Sequence, residues 1–307
     1  MIGRDPNLQV SIHDDEFHPP TLESPSWIET MWFPCWIQAE NLSISIRLWF
    51  AANMHMRGGA VSAWTNNNEV LFGDKWAEEC SDTPDMTQLT NLHGVSIHRV
   101  ESLNVFDVSY KNNEVDLLFR FDSIMPPNPV SPSESPGMFL GHFEQAGRAT
   151  GSLKLGSKEY SIDCYTLRDR SWGPRQMPEE LRLGNAYGAN ANEAFFCYIN
   201  PDAQGREIIT SGYYIRDGES AVIKDGLRTV HWNGDTPESV DVYAVDALGR
   251  ELKVSGHCRN VMAANAGSGV YGVLNLMQWY RGDKELWGEN HDIWSENLWL
   301  AVGRKKL

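Results

Sequence analysis

Cysteine is scarce in this chain and widely dispersed. The five thiols, Cys35, Cys80, Cys164, Cys197 and Cys258, are odd in number and form no CxxC pair. That argues against a disulfide framework or a thiolate zinc site and fits a reducing, cytoplasmic setting. Basic charge is also short: 26 Lys and Arg face 41 Asp and Glu, a formal net charge of −15. Nucleic acid and anionic membrane both need a basic face, so neither is expected as a partner. No run approaches the roughly 20 consecutive apolar residues of a membrane helix. The polar, acidic opening MIGRDPNLQVSIHDDEF does not read as a signal or transit leader. No GxSxG or HExxH signature occurs, so a serine-hydrolase elbow and a zincin helix have no support. The small-residue run Ala266-Gly267-Ser268-Gly269 lacks the lysine and following helix of a phosphate loop.

Aromatics and turn formers are plentiful, with 12 Trp and 26 Gly in 307 residues. Apolar residues alternate with period two. Leu42, Ile44, Ile46, Leu48 and Phe50 share one face of a strand, and 115–122 read the same way. Residues 152–155 and 160–164 form a hairpin pattern about Gly156-Ser157. Further strands are expected over 195–199, 208–215, 239–245, 252–256, 270–279 and 298–302, with loops at 200–205 and 246–250. Helical periodicity is limited to 85–92 and 178–183. Many short strands at regular spacing mean an all-β sandwich or barrel. The length suits two domains or one large β domain, and the break is placed within 176–192, giving domains 1–180 and 181–307. The Pro/Ser-rich segment 126–136 is expected to cap an opening.

Chemistry concentrates between Gly141 and Arg175. On an extended strand His142 and Glu144 point the same way, as do Tyr165, Leu167, Asp169 and Ser171, while Arg168, Arg170 and Trp172 point oppositely. Adjacent antiparallel strands would then gather His142, Glu144 and Asp169 in a barrel mouth or lumen. A carboxyl in such a dry, aromatic-walled place has a raised pKa and is a usable proton donor at neutral pH. Against this, an Arg-Asp-Arg triplet is more often a structural ion-pair cluster, and a lone histidine more often a hydrogen-bonded core residue.

The order His142-x-Glu144-Gln145, a glycine-containing hairpin, then Asp163-Cys164-Tyr165-Thr166-Leu167-Arg168-Asp169-Arg170-Ser171-Trp172-Gly173-Pro174-Arg175 resembles the AttH-like and carotenoid 1,2-hydratase (hydroxyneurosporene synthase) superfamily. Asp14-Asp15-Glu16-Phe17-His18-Pro19-Pro20 followed by Trp27-Ile28-Glu29-Thr30 resembles the opening of its bacterial members. The resemblance implies two lipocalin-like antiparallel β-barrel halves side by side, and water addition to an isolated prenyl double bond. Fungal lipocalin-type Diels–Alderases share that architecture. By resemblance Asp169 occupies the position of the alkene-protonating acid and His142 that of a helper histidine. Two positions depart from the pattern: Arg170 stands where a histidine usually follows the acid, and Leu167 where a tyrosine usually precedes it.

Protonating a trisubstituted alkene gives a tertiary cation, which aromatic faces stabilise by about 0.5–2 kcal/mol each when desolvated. The expected activity is therefore a cofactor-independent hydratase, dehydratase or isomerase acting on a hydrophobic, terpenoid- or polyene-like small molecule. Asp169 would be the donor, His142 and Glu144 would orient water or tune the acid, and Arg168 and Arg175 would hold the strand by ion pairing. Trp172, Tyr165, Trp49, Trp64, Tyr271 and Trp279 are the candidate substrate-binding aromatics, with core packing the commoner role for any one of them. A non-catalytic hydrophobic-ligand carrier and a cyclase that needs no proton donor are the alternatives. No metal and no cofactor is expected, and a homodimer stays open. Met54–Gly59 is a poor metal site. The groups His13-Asp14-Asp15 with His18, and Glu289-Asn290-His291-Asp292, read as solvated.

Overall fold

The computed structural model describes residues 9–21, 24–66, 69–132, 138–176, 179–267 and 269–303. It is nearly all strand and forms two compact units. One comprises the described residues of 6–63 and 71–176, and the other those of 177–307 together with 64–70.

The first unit is one antiparallel sheet. Its strands are β1 (Trp27–Ile37), β2 (Leu42–Ala51), β3 (Met56–Trp64), β4 (Val70–Glu79), β5 (Gln88–Leu92), β6 (Val95–Glu101), β7 (Val105–Lys111), β8 (Val115–Ser123), β9 (Asn128–Pro129), β10 (Gly141–Leu155) and β11 (Lys158–Pro174). They run in the order β4-β3-β2-β1-β11-β10-β8-β7-β6-β5, with β9 beside β10. The expected hairpin is β10–β11, turning at Gly156 (φ +59°) and in register from Leu155↔Lys158 to Gly141↔Trp172. The alternation read in 42–50 holds: Ile44, Ile46 and Leu48 are buried on one face, where Ile46 pairs with Phe33. Phe33 packs against Phe106 and Phe121, so this face is the core.

The second unit is a closed eight-stranded barrel. Its strands are β12 (Arg182–Ala189), β13 (Glu193–Pro201), β14 (Glu207–Arg216), β15 (Glu219–Asn233), β16 (Thr236–Asp246), β17 (Glu251–Gly267), β18 (Val270–Arg281) and β19 (Lys284–Ser295). Phe195, Ile209, Val242, Val254, Met277 and Trp279 fill it. The architecture is thus the expected twin lipocalin-like one, with one half closed and the other a curled sheet open at β4 and β5.

Three local expectations fail. Residues 88–92 of the first helical pattern form β5, where Leu89 and Leu92 are buried. Residues 182–183 of the second open β12, and Pro178 lies outside the described residues. The last expected strand, 298–302, is helical. Ser295 caps a short turn, Glu296–Leu298, by accepting from the Leu298 amide, and a wide turn, Trp299–Gly303, follows. Trp299 stacks on Tyr271 and abuts Trp294, so packing rather than periodicity sets this end. No described helix is long and apolar enough to cross a membrane.

Candidate active site

Register fixes which side chains meet on β10 and β11. Glu144 lies directly opposite Asp169, and His142 opposite Ser171. Cross-strand partners point to the same side, so His142, Glu144 and Asp169 form one cluster. His142 Nε2 is 2.9 Å from Glu144 Oε1 and 4.0 Å from Asp169 Oδ2. The intervening pair, Phe143↔Arg170, faces the core. The cluster therefore stands on the face opposite the core, where the sequence suggested a barrel mouth or lumen. Alternation leaves no choice, because Arg168 and Arg170 take the core side.

On the cluster's face β1 and β2 bring Trp32, Thr30, Ser45 and Trp49, through the pairings Trp32↔Asp169, Thr30↔Ser171 and Thr30↔Trp49. The Trp32 indole donates to Ser45 Oγ at 2.8 Å, and Thr30 and Ser171 share a 2.6 Å hydroxyl bond. The segment after β8 lies along β10. Val130 donates its amide to the His142 carbonyl, and the Phe139 ring meets the His142 ring edge-on at 4.7 Å. Residues 133–136 of the expected cap lie outside the described residues.

Burial governs the electrostatics. Glu144 is almost fully buried, and desolvation pushes its carboxyl well above the usual range. Burial also pushes His142 down to about 4, opposed by the charge of Asp169 and aided by Arg175. Burial thus disfavours the charged form of both groups in this pair, in which Nε2 takes the Glu144 contact and leaves Nδ1. That Nδ1 and Glu144 Oε2 are both buried without a hydrogen-bond partner among the described residues. Asp169 is raised to about 6, by desolvation first and by Glu144 second, while His142, Arg47 and Arg175 pull it down. Its side chain keeps 21% of its surface exposed. The cluster thus holds a carboxyl pushed up by burial, an imidazole pushed down by it, and one partly exposed carboxyl raised to about 6. The three ligand atoms lie within 4.8 Å of one another, so once deprotonated they could also hold a divalent cation.

The other sequence candidates are scattered. Trp49 is on the cluster's face, its ring lying where a Cβ on Gly58 would fall. Tyr165 shares that face but sits four residues, about 13 Å, further along the strand, below the Arg148 guanidinium. Trp172 pairs with Gly141 and Glu29 on the core side and stacks flat on His18 at 3.6 Å. Gly173 follows it at φ +126°, pressed against the Leu140 backbone, which explains the Trp-Gly step of the motif. Trp64 is buried and grouped with the barrel unit, its indole donating to Asn260 at 3.1 Å. Trp279 is barrel core against Phe195, and Tyr271 stacks on Trp299. None of these last four stands beside Asp169 on its strand face.

The two arginines flanking Asp169 are engaged elsewhere. Arg168 is fully buried, donates to Asp15 Oδ1 and Gln145 Oε1 at 2.7 Å each, and lies over the Phe106 ring. Arg170 pairs with Glu29 and donates to the Asp15 and Glu16 carbonyls. Arg175 donates to Ser171 Oγ at 2.8 Å and to the Met138 carbonyl. Asp15 and His18, read as solvated, are instead docked: Asp15 is 1% exposed, and His18 bonds Glu29. A signal existed in Ser11-Ile12-His13-Asp14, which forms a capping box that orders this turn. The other group read as solvated is also buried. Glu289, Asn290, His291 and Asp292 lie within β19, where Asp292 and Asn290 hold Arg228.

Three solved structures have a similar fold. A crystal structure of an AttH protein from Nitrosomonas europaea superposes with a TM-score of 0.65 at 12% identity, covering 95% of this chain and 98% of that one. CghA in complex with Sch210972 matches with a TM-score of 0.53 at 13% identity over 89% of each chain. Kievitone hydratase from Nectria haematococca matches with a TM-score of 0.52 at 13% identity over 88% of each. At such identities the likeness is one of fold. No curated protein sequence is significantly similar. Residues 11–288 match a family model described as a domain of unknown function, DUF7064.

Proposed function

We propose, from the premise that the chain belongs to the DUF7064 family, that it is a cofactor-independent enzyme acting on a carbon–carbon double bond, with Asp169 as general acid. The observation that carries this reading is Asp169 itself. It is a partly reachable carboxyl raised to about 6, flanked on one strand face by Glu144, whose carboxyl burial pushes up, and His142, whose imidazole burial pushes down to about 4. An acid whose pKa lies near working pH is the most effective proton donor. Kievitone hydratase, a hydratase by name, has a similar fold, which agrees with this reading.

In the proposed cycle the Asp169 hydroxyl gives its proton to the less substituted alkene carbon, and the π pair becomes the new C–H bond. The tertiary cation left behind faces the indoles of Trp32 and Trp49, which share Asp169's side of the sheet. Each desolvated aromatic face contributes about 0.5–2 kcal/mol to such a cation. Water adds to the cation and returns a proton to the Asp169 carboxylate, so the enzyme is restored. Run backwards, the same steps dehydrate a tertiary alcohol, and loss of a different proton isomerises the bond. His142 and Glu144 position Asp169, while burial first and Glu144 second keep its proton affinity high. The substrate is a hydrophobic molecule with an isolated trisubstituted alkene, terpenoid or polyene in class.

The test offers geranyl- and farnesyl-class alkenes in ¹⁸O-water and reads labelled alcohol by mass spectrometry. Wild type forms it, and Asp169→Asn does not. A folded Asp169→Asn variant with full turnover removes the proposal.

A further inference from the structure

The barrel repeats half of the candidate active site on its outer wall. On β19 Glu289 and His291 are two residues apart, with His291 Nε2 3.0 Å from Glu289 Oε2. On β10 His142 and Glu144 show the same pairing at 2.9 Å in reversed order. Across β12, Tyr187 opposes Glu289 and its hydroxyl donates to Oε2 at 2.5 Å. Asn185 opposes His291. These four residues face away from the lumen, because the alternate positions Ala186 and Gly188 pair with Asn290 and Gly288 on the side where Ala186 joins the barrel core.

The Glu289 side chain is 0% exposed, and its second oxygen, Oε1, has no hydrogen-bond partner among the described residues. The Asn185 side-chain oxygen, on the strand position opposite His291, is likewise buried with no hydrogen-bond partner among the described residues. A buried acceptor left unmade costs free energy, so Glu289 Oε1 marks a place for a donor. The surround is aromatic: the Tyr187 ring lies 6.5 Å from Phe196, which stacks on Tyr213. The Tyr187 hydroxyl donates to Oε2 and His291 Nε2 lies 3.0 Å from it, so Oε1 is the oxygen left for a further donor.

We propose that Tyr187, Asn185, Glu289 and His291 form a second ligand site, which takes the hydroxyl end of an otherwise apolar, uncharged molecule. Glu289 Oε1 accepts the ligand's O–H, and Tyr187 and His291 fix the carboxylate. The site stands on the barrel alone and does not depend on the role given to Asp169.

Farnesol and farnesal separate the two chemistries, since they share a chain but only the alcohol donates. Binding to the full chain is followed by tryptophan fluorescence and calorimetry. Wild type should prefer farnesol by about tenfold, the scale of one hydrogen bond to a charged group. Glu289→Gln turns its Nε2 amide toward the ligand and should abolish or invert that preference. Tyr187→Phe, which only loosens Glu289, should reduce it and decides the matter if Glu289→Gln fails to fold. Equal affinity of wild type for both compounds overturns the proposal. So does a preference that survives in the folded variants.

Discussion

The two units solve the same packing problem with different second acids. Each lays an imidazole–carboxylate pair along the non-core face of a strand, and each buries arginine on the opposite face. In the first unit the residue across from the pair is another carboxyl, Asp169 opposite Glu144. In the barrel it is a phenol, Tyr187 opposite Glu289. Two neighbouring carboxyls in a dry place resist ionising together, so negative charge on one raises the pKa of the other. A phenol beside a carboxylate simply donates to it. The lesson is that one cross-strand substitution separates a proton-transfer site from a fixed acceptor. The buried arginines differ too. Arg228 is held by Glu207 and Asp292, both barrel strand residues. Arg168 is held by Asp15, from a turn outside the sheet.

The largest expected effect sharpens the first contrast. Asp169→Asn should lower turnover by about 10²–10⁴-fold, the usual worth of a positioned acid, read as ¹⁸O-alcohol formed per unit time. A drop below threefold would erase the distinction between the units. Next come the arginines. Removing one partner of a buried ion pair costs about 3–5 kcal/mol, so Arg168→Met and Arg228→Met should each lose that much in urea unfolding. A small loss for Arg168→Met alone would show that the docked turn relaxes where the barrel cannot.

The pH response is of similar or smaller size and has a definite sign. The fold favours protonated Asp169, raised from 3.8 to about 6. Its stabilising contribution is present below pH 4 and is lost as pH rises through 6, about 3 kcal/mol in all. The fold favours neutral His142, lowered from 6.5 to about 4, so that contribution is lost as pH falls through the same window and the two offset in wild type. Asp169→Asn should therefore be more stable than wild type at pH 8, by up to about 3 kcal/mol, and indistinguishable from it below pH 4. Equal stability at pH 8 would mean that Asp169 is not desolvated. The smallest expected effect is none: exhaustive chelation should leave turnover unchanged. A loss restored by a divalent cation would recast His142, Glu144 and Asp169 as a metal centre.

Much of the fold was legible, because period-two alternation and the Gly156 turn are local signals. The cluster of His142, Glu144 and Asp169 was legible for the same reason, since parity and hairpin register place those residues together. Which face they occupy was not. That depends on Arg168 and Arg170 taking the core side, and nothing local says that a core will accept two guanidinium groups. Their compensation by Asp15 and Glu29 is long-range, as is the burial of Glu289 and His291 in a strand whose polar letters read as a turn. Alternation puts Trp172 on the face opposite Asp169, and the structure keeps it there.

Asp15 and Arg168 are 153 residues apart in sequence, yet they close one buried ion pair. During synthesis the turn that carries Asp15 leaves the ribosome long before β11 exists. Until residue 170 has emerged, β1 lacks the neighbour that separates it from β10, and the turn has no cation to dock on. The first unit therefore completes late and all at once, when its central strand arrives. Any truncation that stops short of β11 should yield a chain that chaperones retain.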